Sequence, residues 1–401
     1  MNTEIKKQRF LFLDTIKVLF TILVIFQHVR VTYGGSGVWY YIEAPPVDTF
    51  SLIFFITLSS IGGLFQASLM GLFFLMGGYF TPKSYDRKGV RSFWKERLLR
   101  LGIPLLLYIF LVNPILIYII HALGIPNYGP FITPQGTFFD YYLSQFQSLE
   151  AFIRFLTRTG PMWFLYVLLI FTVVYTLWRQ VTKIDLVQRR IPKEFSIPKY
   201  FYLLLFALSL GFLTFLVRLF SPIDKFPLGI PFGFFTIYLM MFSVGVIAVR
   251  YNWIGKMTRH QVKVWAITIL AAFILLYLYV FLFLGFDSDL SVFLGGPTLH
   301  ALLFAVAENV VAMGMIFVLL KIFYAKFNDQ GKILRNLSSS AFYMYLIHPL
   351  VLVPVSLGFA FIPLFPVIKL AIVFPLTVIL CYLISHFVLE KIHLKKHTRV
   401  T

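Results

Sequence analysis

The stretch LDTIKVLFTILVIFQHVR, Leu13 to Arg30, decides the fold. As a helix it is long and apolar enough to cross about 30 Å of hydrocarbon. It also carries Asp14, Lys17 and His28. At 100° per residue, Asp14, Lys17, Thr21, Val24 and His28 fall within an arc of about 80°, so one polar stripe runs along an otherwise apolar helix. Lys17 and His28 are separated by roughly 16 Å of rise. Asp14 and Lys17, three residues apart, are spaced to pair, which lowers their joint cost. Ionisable residues within a membrane span face the bundle interior and mark functional paths by default.

Similar apolar runs recur along the 401-residue chain, which is 59% hydrophobic and only 13% charged. That balance excludes a soluble globule, and no run alternates as the strands of a membrane barrel do. The expected architecture is an all-α polytopic membrane protein with about ten transmembrane helices in one bundle and both termini cytoplasmic. The predicted spans are 10–32, 49–80, 101–121, 161–178, 200–220, 230–249, 264–285, 299–320, 338–358 and 367–389. They form a single domain over 1–401, with a core at about 10–389 and a short basic cytoplasmic tail, 390–401. The basic segment Met1–Arg9 and the run after it superficially resemble a signal peptide. However, Trp39, Tyr40 and Tyr41 follow in place of a small-residue cleavage site, so the run reads as a retained helix. Cys381 is the single cysteine, which leaves neither an intramolecular disulfide nor a cysteine-based metal site.

Charge placement supports this drawing. The net charge of +19 would point to nucleic acid in a soluble protein. Here most Lys and Arg fall in alternate loops, among them Lys83–Arg100, Arg179–Lys199, Arg250–Lys263 and Lys391–Arg399, as the positive-inside rule requires of cytoplasmic segments. Arg30, Arg154, Arg158, Arg218, Lys225 and Lys369 count toward the outer side. Nucleic acid is therefore not an expected partner. Thr49–Phe80 is too long for one perpendicular crossing, at about 48 Å. Two crossings would invert every later loop, so it reads as one crossing with an extension or a break near SSIGG, Ser59–Gly63. The longest outer segment, about 122–160, contains GIPNYGPFITPQGTFFDYY and is a candidate cover over an outward-facing site.

Three further constellations carry chemistry, followed by weaker candidates at Trp163, Glu43 and Asp48. In SFWKERLLRLGIP, Ser92–Pro104, Arg97 and Arg100 are i, i+3 beside a span, and guanidinium forks suit phosphate oxygens. Arginines there equally serve orientation or lipid headgroups. FAVAENVVAMG places Glu308 inside the eighth span, where a carboxylate needs a partner or a proton; it is a candidate to orient a histidine, act as a base or pair with a cation. AFYMYLIHPLVL places His348 before Pro349, and proline leaves a helical carbonyl without its usual donor, to which His348 is placed to bond. Trp163 begins the fourth span in GPMWFL. Glu43 and Asp48 lie in the first outer loop.

Five landmarks then occur in one order: LDTIKVLFTILVIFQH, MGLFFLMGGYFTP, RLLRLGIP, PMWFLYVLLIF and SSSAFYMYLIHPLVL. With ten spans, they resemble the membrane acyltransferase-3 superfamily of integral membrane O-acyltransferases, closest to its glucan succinyltransferase-like branch, which also tends to carry an acidic residue where Glu308 stands. The resemblance implies an arginine and, after ten residues, a catalytic histidine in the first span. The histidine matches His28, while Lys17 stands for the arginine, keeping charge but losing the planar fork. It implies a cytosolic donor site at Arg97 and Arg100. The resulting expectation is transfer of an acetyl or succinyl group from acyl-CoA, as donor substrate with no tightly bound cofactor, to a hydroxyl of an extracytoplasmic glycan or lipid-linked acceptor. His28 serves as general base or acyl carrier, and Glu308 orients it or stabilises its protonated form. Arg97, Arg100 and Lys17 hold the donor; Asp14, Trp163 and His348 are candidate substrate contacts; no metal site is expected. The resemblance further implies a bacterial plasma membrane, membrane lipids as partners, and either direct transfer or a separate extracytoplasmic partner. Two other classes fit the residues: a transporter or flippase for an anionic or lipid-linked glycan, against which the lack of an internal repeat counts, and a lipid-linked glycosyltransferase using Glu43 or Asp48.

Overall fold

The computed structural model describes residues 11–43, 48–125, 133–182, 192, 194–283, 290–327, 329 and 331–389. The N-terminal basic residues, the tail 390–401 and most of the loop 183–193 lie outside that set. Among the described residues the α-helices are α1 (Leu11–Thr32), α2 (Thr49–Arg97), α3 (Ile103–Leu107), α4 (Asn113–Ala122), α5 (Phe138–Ser144), α6 (Leu149–Thr157), α7 (Trp163–Val181), α8 (Tyr200–Arg218), α9 (Phe235–Tyr251), α10 (Trp253–Lys256), α11 (Arg259–Phe283), α12 (Leu299–Lys326), α13 (Lys332–Ala360) and α14 (Pro366–Ile384). These residues contain no strand, and nine helical stretches among them are long and apolar enough to cross a membrane. The protein is an all-α polytopic membrane protein, as its apolar periodicity implies.

One stretch, Thr49–Ala122, runs for 74 residues and contains both the second and third predicted spans. The helix continues through Ser59–Gly63 without a break, so of the two readings of that region the extension holds. The break lies instead at Gly89, at φ 70° and ψ 166°, a region essentially restricted to glycine. There the chain folds back on itself. Arg97 Nη2 donates to Thr81 Oγ1 at 2.8 Å, and the rings of Tyr85 and Phe93 meet edge to face at 5.3 Å. In a straight helix Thr81 and Arg97 would stand about 24 Å apart. The second arm contains two π-helical turns, Leu98–Gly102 and Tyr108–Val112. Each ends two residues before a proline, Pro104 or Pro114, whose missing N–H removes an ordinary i→i−4 bond just beyond it.

The first arm of α2 packs against α9 at backbone distance. A Cβ on Gly78 would collide with the Phe242 carbonyl oxygen, and one on Gly245 with that of Leu75. Apolar lipid gives no hydrophobic drive for helix association, so such small-residue contacts supply close van der Waals packing. A similar approach joins α8 to α12, where a Cβ on Gly211 would lie 2.5 Å from the Val306 Cα. Helices α1 and α13 run parallel in constant register: Thr21 Oγ1 donates to the Ala341 carbonyl at 3.4 Å, 320 positions on, and two turns later His28 lies beside His348. That seam brings the first and ninth predicted spans together.

Gly89→Ala should lower stability by roughly 1–3 kcal/mol, read as a lower unfolding temperature in detergent. Gly358→Ala is its control. Gly358 lies within α13 with nothing within 4 Å of an added Cβ, and this substitution should leave the transition unchanged or slightly higher.

Candidate active site

The polar stripe of α1 forms one wall of a cavity of about 550 Å³. Lys17 and Thr21 line it from α1, and Ala341, Phe342 and Tyr345 line it from α13. The turn region of α2 and the first π turn contribute Lys83, Arg87, Lys88, Arg97 and Arg100. Glu96 is the acidic residue of the lining and bonds to Lys88. The cavity is therefore strongly cationic at one end and apolar along the seam. The two arginines are held in place: Arg97 by Thr81 and by the Phe93 face at 5.2 Å, Arg100 by the Phe342 face at 5.6 Å. Asp14 pairs with Lys17 at 2.9 Å, and the Lys17 ammonium lies 4.9 Å from the Phe80 ring centroid.

Above the cavity, the seam ends at His28. Its ring stacks on Trp39 at 4.0 Å and lies parallel to that of His348 at 5.2 Å, with only 13° between planes. Trp39 is placed by its neighbour: the Tyr40 hydroxyl meets Tyr108 Oη and Asn113 Oδ1, both at 2.5 Å. His28 keeps partial accessibility, while its Nδ1 is buried with no hydrogen-bond partner among the described residues. His348 is fully buried, and its Nδ1 lies 2.6 Å from the Tyr345 carbonyl oxygen, the carbonyl that the missing Pro349 N–H would have bonded. Tyr345 itself lines the cavity and donates to the Pro161 carbonyl at 2.5 Å. One turn of α13 thus separates the cavity wall from the histidine pair.

Glu308 does not orient His28. Its Oε2 accepts from Arg218 Nη2 at 2.5 Å, both side chains are wholly buried, and no hydrogen bond joins it to His28 among the described residues. The reason is electrostatic: a buried carboxylate gains far more from a guanidinium than from a neutral imidazole. Arg218 also donates through Nε to the Gly233 carbonyl at 2.9 Å and sits under the Phe234 ring at 5.1 Å. Arg30, Arg218 and Lys369, which count toward the outer side by sequence, are all buried and bonded. Arg30 donates to Gln27, Ser59 and the Ser36 carbonyl, and Lys369 to Glu43. The missed signal was depth: Glu308 needs a cation, and Arg218 ends its span on the side from which α12 begins. Trp163 packs among Phe74, Phe164 and Tyr238 and does not line the cavity. Trp39, Lys83, Arg87 and Lys88 were not singled out in sequence; loop basics beside a span read as orientation signals until α2 folds back on itself.

Among the described residues no three His, Cys, Asp or Glu side chains gather as metal ligands do. Asp48 caps α2, its carboxylate accepting from the Ser51 N–H at 2.7 Å, and that bond holds its pKa below the usual carboxylate value. Glu43 is engaged by Lys369. The two carboxylates of the first loop thus have structural partners.

Glu308→Ala should destabilise the protein by about 3–5 kcal/mol, because it leaves Arg218 buried without its counter-ion. Glu308→Ala/Arg218→Ala should recover part of that loss, read as a non-additive thermal-unfolding cycle in detergent.

No curated protein and no solved structure matches the chain. Residues 10–386 match the family model described as an acyltransferase domain, acyltransferase 3. With that match covering almost every span, the chain belongs to the acyltransferase-3 family and is a membrane acyltransferase.

Proposed function

We propose that this protein transfers an acyl group, acetyl or succinyl, from acyl-CoA to a hydroxyl of an extracytoplasmic glycan or other cell-envelope acceptor, as a multi-pass enzyme of a bacterial plasma membrane. The observation that carries this reading is the cationic cavity rising along the α1–α13 seam toward His28 and His348. A CoA thioester has the matching polarity: phosphates at one end and a long uncharged arm ending in the reactive carbonyl. The basic end of the bundle is the cytoplasmic end on this reading, as the positive-inside rule has it. Arg97 and Arg100 meet the phosphates as charge-assisted donors, with Lys17, Lys83, Arg87 and Lys88 adding field. The arm follows Thr21, Ala341 and Tyr345. His28 acts as general base toward the acceptor hydroxyl or carries the acyl group briefly. Trp39 fixes the plane of its ring. Arg218 and Glu308 hold α8 to α12.

Acetyl-CoA and succinyl-CoA should bind saturably to the detergent-purified protein. Arg97→Ala/Arg100→Ala should weaken binding by at least tenfold, since hydrogen bonds to charged groups contribute about 1.5–3 kcal/mol each. Binding of neither donor to folded wild-type protein contradicts the reading. His28→Ala should lower transfer about 10²–10⁴-fold with binding retained; substantial residual transfer contradicts both roles of His28.

A further inference from the structure

Two imidazoles face one another one turn of α13 beyond the cavity lining, and the reading above uses one. The other has a tautomer set by the backbone. Pro349 has no N–H, so the Tyr345 carbonyl, four residues earlier, lacks its helical donor. His348 Nδ1 lies 2.6 Å from that oxygen. A carbonyl only accepts, so Nδ1 carries the proton and Nε2 presents a lone pair. That Nε2 is buried and has no hydrogen-bond partner among the described residues. A buried acceptor left bare in a membrane interior is unfavourable, and an asparagine could satisfy the carbonyl without one. The bare lone pair lies in a ring 5.2 Å from His28 and 6.0 Å from Trp39, the three planes within about 20° of parallel.

From this geometry we infer that His348 is a second catalytic base, whose Nε2 takes the proton of the acceptor hydroxyl, while His28 is the nucleophile that receives the acyl group. The assignment rests on the acyltransferase reading above and deepens it. In the first step a ring nitrogen of His28 forms a bond to the acyl carbon. The C–S bond breaks with its electron pair on the CoA sulfur, which takes the proton released by the His28 ring. In the second step the hydroxyl oxygen bonds to the acyl carbon as its proton passes to His348 Nε2. The C–N bond breaks with its pair on His28, and His348 returns the proton to that ring. The products are the ester and free CoA, and both histidines end neutral. Pro349 acts through His348, as a positioning residue that keeps Nδ1 engaged.

The two steps have separate readouts in detergent-purified protein given acetyl-CoA or succinyl-CoA, with glycerol in excess as the hydroxyl probe and CoA followed as free thiol. Wild type should show a stoichiometric burst and then steady turnover. His348→Asn keeps a side-chain N–H for the Tyr345 carbonyl and loses only the outer lone pair. It should keep the burst and lose steady turnover about 100-fold or more. Pro349→Ala restores a competing backbone donor. It should unfold at an equal or higher temperature, yet lower kcat at least tenfold with KM little changed. Wild-type turnover in His348→Asn, or full kcat in Pro349→Ala, would overturn the assignment. Loss of the burst in His348→Asn would place His348 on the donor step and overturn it equally. A burst retained by His28→Ala, or steady turnover without a burst in wild type, would likewise overturn it. Failure of the underlying reading looks different: wild type releases no thiol from either donor.

Discussion

The structure is organised by the cost of leaving a polar group without a partner in hydrocarbon, several kcal/mol for each unsatisfied group. The charges buried within the bundle answer that cost one by one. Arg218 holds Glu308, Lys369 holds Glu43, Asp14 holds Lys17, and Arg30 is bonded to two side chains and a carbonyl. Several buried polar atoms still lack a hydrogen-bond partner among the described residues, and two of them concern the site. His28 Nδ1 and His348 Nε2 are buried imidazole nitrogens without hydrogen-bond partners among the described residues, and they belong to two parallel rings one turn of α13 beyond the lining of the cationic cavity.

Glycine and proline give the backbone its departures from ideal helix, and each departure places part of the site. Gly89 turns the chain so that Arg97 returns beside Thr81. Gly78 and Gly245 let α2 and α9 touch through their main chains, which leaves little freedom for either to shift. Pro104 accompanies the π turn that presents Arg100 to the cavity. Pro349 leaves the carbonyl that fixes the His348 ring. A straight, proline-free set of spans would bury the same apolar area without converging these groups.

Much of this was legible in the chain itself. Apolar run lengths and the alternation of basic loops set the all-α membrane architecture, because the bilayer permits so few alternatives. The 3.6-residue period placed Lys17 and Thr21 on the face that now lines the cavity, below His28. The chemistry of proline anticipated the His348 bond to a released carbonyl. What was not legible depended on contacts between distant segments. Glu308 needed a counter-ion, but periodicity does not choose among cations, and Arg218, near the end of its span, counted only as an outer-side charge. The turn at Gly89 hid inside a run without an obvious loop signature, and SSIGG looked the more flexible point because its two glycines are adjacent. Trp39 gave no pattern at all; its role comes from Tyr40 anchoring the loop against Tyr108 and Asn113.

The central claim is that the cationic cavity delivers an acyl-CoA to His28 along the α1–α13 seam. A cryo-EM structure with a non-transferable thioether analogue of acetyl-CoA tests it most directly. The account predicts phosphate density against Arg97 and Arg100, the pantetheine arm beside Thr21, Ala341 and Tyr345, and the acyl carbon in contact with the His28 ring. Analogue density elsewhere in the bundle, or an acyl group ending away from His28, would contradict it.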